Sequence, residues 1–295
     1  MTSGILLLDK PAGLSSNGAL QRVRHAFGRI KAGHTGSLDP MATGMLPICL
    51  GEATKVAGDL LDGRKAYTFT ARLGARTSTG DLEGEVVESL PVPSDAAARL
   101  AVAAGAFRGP QRQIPPMYSA LKRDGQPLYR LARQGLEVER ASRDIVIHAL
   151  ELLGLDGVDS RWRVECSKGT YVRVLAEDIA RQAGTCAHLS ALRREWAEPF
   201  QGLPMATMEQ VLSAPGAIPL LNADAALPQL PAVTLLPGAA TRLQHGQQVH
   251  AGPDARPGRC RVYAAGGVFL GVGEVLGDGA LQPRRLFNDL DPRTT

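Results

Sequence analysis

The sequence has few cysteines, and none of them is spaced as a zinc ligand. Its 295 residues contain four cysteines that lie far apart, with no C-x-x-C pair: Cys49, Cys166, Cys186 and Cys260. A zinc site is therefore not expected, because structural zinc is held by closely spaced cysteine and histidine ligands. A chain of this length also does not need a disulfide framework. We expect reduced thiols and no bound metal.

Long apolar runs are also lacking. No run approaches the roughly 20 apolar residues that a transmembrane helix needs. The first residues, MTSGILLLDKP, contain only a short apolar stretch before Asp9 and Lys10, which is too short for a signal peptide. The chain has no internal repeat and no low-complexity tail. These absences predict a soluble, cytoplasmic protein.

The charge of the chain is mildly basic. There are 33 lysines and arginines against 29 acidic residues, and the sequence pI is about 9.0. Such an excess favours a polyanionic partner without identifying one. The first 40 residues are more strongly biased, with basic side chains at Lys10, Arg22, Arg24, Arg29 and Lys31 against Asp9 and Asp39.

Apolar spacing and turn residues predict the elements of the first 230 residues. Strands are predicted at 4–8, 46–50, 65–74 and 162–166. Helices are predicted from Ser15 or Ser16 to Gly28, and at 52–61, 96–107 and 172–184, with a polar loop at 76–85. The basic segment 123–138 has the composition of an excursion from the sheet that grips a partner.

The remaining residues have a different pattern. Residues 206–231 are rich in alanine, proline and leucine and predict a helix followed by a connector. Beyond them, a short helix at 238–243 precedes several short strands separated by glycine turns, which is typical of a small β-barrel. We therefore predict an α+β protein in which a mixed, mainly antiparallel sheet flanked by helices (1–230) precedes a small C-terminal barrel (231–295).

The stretch GRIKAGHTGSLDPMATGMLPICLGEATK surrounds Asp39 with glycines, at positions 28, 33, 36, 44 and 51. It lacks converging metal ligands, and no Gly-Lys-Ser/Thr follows the glycines as in a P-loop. A carboxylate on such a constrained turn can act as a nucleophile or general base if a cation keeps it ionised. It can equally cap the turn through a backbone amide. The residues of the loop leave both interpretations open.

A second candidate region lies where a strand leads into a helix, at CSKGTYVRVLAEDIA. Tyr171 and Arg173 fall at the start of the predicted helix, a place suited to aiming side chains at an anion. From the pattern alone, Arg173 could also be an ordinary surface residue of the first turn.

Several long segments, in one order, resemble the TruB family of bacterial tRNA pseudouridine synthases. They are GILLLDKPAGLSSN, GHTGSLDPMATGMLPICLGEATK, YTFTARLGARTSTGDLEGEV, IPPMYSALKRDGQPLYRLARQG, CSKGTYVRVLAEDIA and AHLSALRR, and the end of the chain resembles the PUA domain of that family. The resemblance spans nearly the whole chain. It is weakest in the 190s and in the connector before Pro231.

The resemblance implies a role for each matching residue. Asp39 is the implied nucleophile, Arg173 its paired cation and Tyr67 the aromatic residue packed against the target base. The implied substrate-binding residues are His34, which holds the RNA loop, Tyr171 and Leu192, which line the base pocket, and Lys10, which with Pro11 forms a motif supporting the cleft. The residue pattern alone allows simpler interpretations, with Tyr67 and Leu192 in the core and His34 capping a turn.

The implied activity is the isomerisation of uridine 55 in the TΨC loop of tRNA to pseudouridine, without a cofactor. The target base leaves its RNA stack. The catalytic domain is expected to hold the T-arm and the C-terminal domain the acceptor stem, in a monomer that needs no protein partner. Basic residues, including the 123–133 segment and Arg193 with Arg194, are expected to bind phosphates. Whether Asp39 attacks C1′ or C6 stays open.

Three other functions are compatible with parts of the sequence. An RNA-binding or folding chaperone would need the basic surface but not Asp39, Tyr67 and Arg173 together; it could also coexist with catalysis. A nucleoside hydrolase would need a second acid, which Asp81 or Asp178 could supply only through folding. A relative that depends on a guide RNA is less favoured, because the chain has no lysine-rich tail.

Overall fold

The computed structural model describes residues 2–123 and 125–287. In this part of the chain the strands are β1 Gly4–Lys10, β2 Ala32–His34, β3 Thr43–Leu50, β4 Lys65–Leu73, β5 Ala75–Thr77, β6 Val86–Ser89, β7 Gly109–Gln113, β8 Lys122–Arg123, β9 Gln126–Pro127, β10 Arg143–Asp156, β11 Asp159–Cys166, β12 Ala187–Ala197, β13 Ala206–Thr207, β14 Ala232–Leu235, β15 Val249–His250, β16 Gly258–Ala264, β17 Phe269–Val275 and β18 Ala280–Leu286. The α-helices are α1 Ser16–Ala26, α2 Ala96–Ala106, α3 Leu128–Arg133, α4 Val172–Gln182, α5 Met208–Ser213 and α6 Pro237–Gln244. None of the helices in these residues is long and apolar enough to cross a membrane.

A nine-stranded sheet forms the first part of the molecule. Its strands run in the order β13-β1-β3-β12-β4-β11-β10-β7, and β2 pairs with β3 beside this path. Two of the pairings are parallel, β1 with β13 and β3 with β12, and the others are antiparallel. The predicted mixed, mainly antiparallel sheet is confirmed.

Strand β1 is buried on both faces, as its unbroken apolar run predicts. Ile5 and Leu7 lie in one core cluster, whereas Leu6 and Leu8 lie in another that includes residues of α1 and α5. The helix α1 begins as predicted, because the side chain of Ser15 accepts a hydrogen bond from the amide of Gly18. This packing places the start of α1 directly beside the Asp39 loop.

Strand β4 alternates as its sequence predicts. Tyr67, Phe69, Ala71 and Leu73 are buried in the cluster that α2 and α4 cover, whereas Arg72 faces outward. In that cluster the ring of Phe69 stacks on Trp162 of β11, with centroids 6.2 Å apart. The side of the sheet that carries Tyr67 is therefore the side that α4 covers.

Two of the predicted elements differ in the structure. Residues 52–61 form two short 3₁₀-helices, Gly51–Val56 and Asp59–Leu61, rather than one α-helix. The buried residues Ala53 and Val56 are three apart, which matches the three residues per turn of a 3₁₀-helix. The predicted loop at 76–85 is shorter than expected, because its first residues belong to β5, which pairs with β6.

The C-terminal region contains a curled five-stranded sheet. Its order is β14-β16-β17-β18-β15, and α6 packs against its own cluster of buried residues. The predicted barrel is thus a half-barrel, since no pairing joins β14 to β15 within the described residues.

The C-terminal sheet also packs on the first region. Val272 and Phe287 share a core cluster with Ile5 of β1 and with Phe200, which follows β12. The ammonium of Lys55 donates to the carbonyl of Leu286 at 2.7 Å. The two regions therefore bury part of their apolar surface against each other.

Gly44 gives a test of the close strand packing next to the Asp39 loop. It has φ +96°, and a Cβ there would lie 2.2 Å from the backbone oxygen of Arg194. We expect Gly44→Ala to lower the free energy of unfolding by at least about 2 kcal/mol, because the backbone of β12 must move away. Urea denaturation measures this.

The matched control is Gly105→Ala. This glycine lies inside α2, and a Cβ there would meet no atom within 4 Å. The same substitution should raise the free energy of unfolding by about 0.5–1 kcal/mol, since alanine is the better helix former. Equal effects at the two positions would contradict the packing described here.

Candidate active site

The loop between β2 and β3 carries Asp39, and its backbone is tied to the start of α1. The amide of Leu38 donates to Ser16 Oγ at 2.7 Å, and this hydroxyl lies 3.0 Å from the Leu38 carbonyl, to which it donates. Ser16 is buried. Because one side chain satisfies both backbone groups of Leu38, the residue before Asp39 is firmly placed.

Lys10 stabilises the backbone that follows Asp39. Its ammonium donates to the carbonyls of Pro11 at 2.9 Å, Leu14 at 2.7 Å and Pro40 at 3.2 Å. Burial lowers the pKa of Lys10 to about 8, although the Asp39 carboxylate acts in the opposite direction. The fully buried side chain supports the loop, in line with the implied cleft-supporting role of Lys10, but the grouping of Lys10 with the substrate-binding residues needs correction, since the side chain does not face a substrate.

Arg173 lies in the first turn of α4 and pairs with Asp39 through two contacts. Its Nε is 2.9 Å from Asp39 Oδ2, and its Nη2 donates to Asp39 Oδ1 at 3.2 Å. The guanidinium also donates to the carbonyls of Thr79 and Tyr118, both at 2.7 Å. The Arg173 side chain is 5% exposed and that of Asp39 is 35% exposed. The cation is therefore enclosed while the carboxylate stays open to solvent.

A second carboxylate, Asp81, lies behind this pair. Its Oδ2 is 3.9 Å from Arg173 Nη1, and its Oδ1 accepts from the Thr79 hydroxyl at 2.5 Å and from the Glu83 amide at 3.0 Å. Asp81 is 3% exposed, so it cannot act directly on a substrate.

The other acid considered for a hydrolase, Asp178, lies further along α4 and pairs with Arg181 at 3.7 Å. Folding thus places a second acid near Asp39, but a buried one. The arrangement lacks the two accessible carboxylates that a glycosidase uses.

The surroundings of Asp39 shift its pKa in opposing directions. Burial raises the pKa of the carboxyl, and the charge of Asp81 adds to this effect. Arg173 and Lys10 lower it, because they favour the ionised form. The net direction is upward, so Asp39 titrates above the usual value of 3.8.

Tyr67 lies in the core and beside the Asp39 loop at the same time. Its side chain belongs to the cluster that contains Leu38 and Ala42, on either side of Asp39. Burial raises the pKa of its hydroxyl, and Arg194 opposes the shift. The two interpretations of Tyr67 from sequence, core and site, are therefore compatible.

Leu192 and Tyr171 approach the same region from β12 and α4. Leu192 is buried in the cluster that contains Tyr67. Tyr171 is the half-buried N-cap residue of α4, two positions before Arg173. The guanidinium of Arg143 lies over its ring, 5.6 Å from the centroid. Both predicted pocket residues thus border the elements that carry the Asp39–Arg173 pair.

Gln113 is a residue of this region that sequence reasoning missed. The Tyr171 amide donates to Gln113 Oε1 at 2.8 Å, and Gln113 Nε2 donates to the Tyr171 carbonyl at 3.1 Å. The glutamine is buried at the end of β7. Nothing in the polar segment RGPQRQIPP distinguishes it from a surface glutamine.

His34 ends β2, and its imidazole is half-buried. Among the described residues, no partner is found for its buried Nδ1. Burial lowers the pKa of the imidazole, and Arg194 acts in the same direction. The ring is therefore neutral at pH 7 and has a free polar atom near the Asp39 loop.

The two arginines predicted to bind phosphates together have different surroundings. Arg193 forms a bidentate pair with Asp9, at 2.9 and 2.8 Å. Arg194 is 1% exposed and donates to the carbonyls of Met45 at 2.6 Å and Gly36 at 2.9 Å. The prediction is wrong for Arg194, because a phosphate of a bound RNA cannot reach a fully buried guanidinium.

The described residues contain no group of three or more histidine, cysteine, aspartate or glutamate side chains that could hold a metal ion. The four cysteines are buried and unpaired. The residues that meet at Asp39 offer a carboxylate, an arginine and aromatic rings. This set can supply a nucleophile and its counter-ion, and a surface on which a base can stack.

Ser16 provides a test of how the loop is placed. We expect Ser16→Ala to lower the free energy of unfolding by about 2 kcal/mol, since it leaves two buried backbone groups of Leu38 unpaired. Hydrogen exchange of the Leu38 amide should become faster. The control is Ser15→Ala, which removes a helix cap worth about 1 kcal/mol without touching the loop. Unchanged exchange at Leu38 in Ser16→Ala would contradict this account.

Comparison with known proteins identifies the family. The model of the N-terminal domain of TruB family pseudouridylate synthases matches residues 24–172, and that of the C-terminal domain of pseudouridine synthase II TruB matches residues 231–287. The tRNA pseudouridine synthase B of Nitrosococcus oceani is 48% identical over 291 residues, which cover 96% of this chain and 94% of that protein. Its namesake from Aromatoleum aromaticum is 50% identical over 292 residues, covering 98% and 94%.

Solved structures agree at the level of the fold. A chain in the crystal structure of a Cbf5-Nop10-Gar1 complex has a TM-score of 0.72 and 24% identity, with 98% of this chain and 86% of that chain covered. A chain in a structure of an H/ACA RNP bound to a substrate RNA has a TM-score of 0.70 and 22% identity, with 98% and 86% covered. With its full-length relatives and both family models in agreement, this chain belongs to the TruB family of pseudouridine synthases.

Proposed function

We propose that this protein is a tRNA pseudouridine(55) synthase, which isomerises the uridine at position 55 in the TΨC loop of tRNA. The observation that carries the proposal is the pair of Asp39, open to solvent, with the enclosed Arg173. The relatives that share about half of its residues are named tRNA pseudouridine synthase B.

The proposed reaction requires few catalytic groups. The C1′–N1 bond breaks, the uracil turns and a C1′–C5 bond forms, while the proton on C5 is lost and one is gained at N1. Nothing is oxidised or reduced and no group is donated, so no cofactor enters the scheme. A nucleophilic carboxylate can bond to C1′ of the ribose or to C6 of the base while the base turns, and this bond breaks again to release pseudouridine and the free carboxylate.

Arg173 serves the nucleophile in two ways. Its two contacts fix the direction of the Asp39 carboxylate, and its charge favours the ionised form that a nucleophile needs. Two further donors are used by backbone carbonyls, so the guanidinium has little freedom to follow the substrate. We therefore assign Arg173 to orientation and charge, and Asp39 to bond formation.

The target base must leave its stack to reach Asp39. We propose that the ring of Tyr67 replaces part of the lost stacking, and that Tyr171 and the backbone at Leu192 complete the pocket. His34, a half-buried residue at the end of β2, is assigned to holding the RNA. Aromatic stacking of this kind contributes about 1–3 kcal/mol per base.

We further propose a division of labour between the two regions. Residues 1–230 form the catalytic domain, which binds the T-arm, and residues 231–295 form an RNA-binding domain for the acceptor stem. The protein works in the cytoplasm as a monomer without a protein partner or guide RNA. Opening the tRNA elbow would also let it assist tRNA folding.

Asp39→Asn tests the assignment of the nucleophile. We expect pseudouridine formation in unmodified tRNA to be abolished, while the tRNA Kd changes by less than about tenfold, because phosphate contacts lie elsewhere. Pseudouridine mapping and filter binding measure the two quantities. The control is Asp159→Asn, an acid in an exposed pair with Arg72, which should retain activity.

The same assay separates the rival functions. A nucleoside hydrolase would release free uracil, which chromatography detects. If the protein is a folding chaperone without catalysis, the wild type and the Asp39→Asn variant should refold tRNA equally well. Neither of them should then form pseudouridine. Turnover in Asp39→Asn would remove Asp39 as the nucleophile.

The pH dependence of the chemical step follows from the raised pKa of Asp39. The single-turnover rate should fall as the pH is lowered through that pKa, above the usual value of 3.8, because the protonated acid is not a nucleophile. Among the groups that face the carboxyl, Arg173 and Lys10 lower its pKa while Asp81 raises it. Arg173→Gln should therefore move the acidic limb to higher pH.

Arg72→Gln is the control, since Arg72, near the end of β4, pairs with Asp159 of β11 and not with Asp39, and its change should leave the limb in place. Circular dichroism checks that each variant is folded. A limb that stays in place or moves to lower pH in Arg173→Gln would show that Asp39 is not the titrating group.

A further inference from the structure

Arg194 is a buried cation that the scheme above does not use. Its side chain is 1% exposed, and its described partners are two neutral carbonyls, of Met45 and Gly36. No ion pair of Arg194 is found within the described residues. Burying a charge without a counter-ion costs several kcal/mol, so its presence here needs a reason.

The two carbonyls belong to opposite ends of the Asp39 segment. Gly36 precedes Asp39 by three residues and has φ +71°, and Met45 is the third residue of β3. A Cβ at position 36 would lie 3.3 Å from Arg194 Nη1. One guanidinium therefore joins the entry and the exit of the segment that presents the carboxylate.

The same side chain lies next to Tyr67. Arg194 on β12 and Tyr67 on β4 are partners in an antiparallel register, so their side chains are neighbours on one side of the sheet. Both side chains are buried. The charge of Arg194 lowers the pKa of the Tyr67 hydroxyl against the effect of burial, as expected for a cation close to that oxygen.

Burial in this place weakens the protonation of a lysine. The neighbouring Lys65, buried and bonded to the carbonyls of Leu61 and Gly63, has a pKa lowered to about 8, and Arg194 contributes to that shift. A guanidinium, unlike an ammonium, offers several donors in a rigid plane. It can therefore bond to the two carbonyls and to a tyrosine oxygen at once.

We propose that Arg194 is a positioning residue for the isomerisation, which holds the Tyr67 hydroxyl and the Asp39 segment in one fixed relation. The inference rests on the proposed function and adds a residue to it. It differs from the phosphate contact that the sequence indicated. Arg194 acts through Tyr67 and the loop and touches no substrate.

The test is a double-mutant cycle between Arg194→Lys and Tyr67→Phe in the full-length protein, on unmodified tRNA. Arg194→Lys should lower the single-turnover rate by about 10²-fold, the size of effect that a misplacement of about 1 Å produces. The tRNA Kd should change by less than about threefold. In the Tyr67→Phe background, part of the effect should disappear, because the two residues act through one contact.

Arg72→Lys is the matched control. Arg72 lies on β4, the strand that carries Tyr67, and is bonded at 2.9 Å through two nitrogens to the partly exposed Asp159, so its change should leave the rate and the Kd as in the wild type. If Arg194→Lys weakens tRNA binding and leaves the rate unchanged, Arg194 contacts phosphate as the sequence indicated. This outcome would overturn the inference. A wild-type rate, or fully additive effects in the cycle, would overturn it as well.

Two further outcomes are distinguishable. If the wild-type protein forms no pseudouridine, the proposed function fails and the inference fails with it. If Arg194→Lys does not fold, as judged by circular dichroism, Arg194→Gln, which keeps an amide donor for one carbonyl, takes its place in the cycle. If both variants are unfolded, Arg194 serves the fold alone and the inference is overturned.

Discussion

The pairing of Asp39 with Arg173 is the interaction on which the rest of the site depends. The guanidinium is enclosed, and the Asp39 carboxylate and two backbone carbonyls use its donors. Losing the carboxylate would leave the enclosed guanidinium without the counter-ion that offsets its burial. The start of α4, the segment around Thr79 and the Asp39 loop are therefore held together by one charge. The same contacts leave the carboxylate, rather than the arginine, facing solvent.

A loop carboxylate that is proposed as a nucleophile needs fixed neighbours, and the Asp39 loop has them on each side. Ser16 satisfies the backbone before Asp39, Lys10 bonds to the carbonyl after it, and Arg194 joins the two ends. Gly44 allows β12 to approach so closely that no side chain could be placed there. The polar groups buried by this arrangement are costly alone, but each one is a partner of a backbone group of the loop. Rigidity at Asp39 is thus produced by interactions outside the loop.

The fold and the site residues constrain the function to different degrees. Solved structures with 24% identity or less share the fold over almost the whole chain, and such folds host more than one arrangement of substrate and partner. The residues of the site restrict the possible reactions further than the fold does. One accessible carboxylate, paired with an arginine and placed beside a tyrosine, suits covalent capture of a base. The buried position of Asp81 does not suit hydrolysis by two carboxylates.

The sequence by itself determined the elements with strong local patterns and, through its long motifs, the residues at the centre of the site. The alternation along β4, the cap of α1 by Ser15 and the positions of Asp39 and Arg173 were all predictable. Only the tertiary structure decided the roles of Arg194, Lys10 and Gln113. A buried polar residue looks like a surface residue in a one-dimensional pattern, because its partners are distant: Arg194 bonds to Met45 across 149 positions of the chain, and Arg173 to Asp39 across 134. Burial and partnership arise only when those segments meet, which is why local spacing could not reveal them.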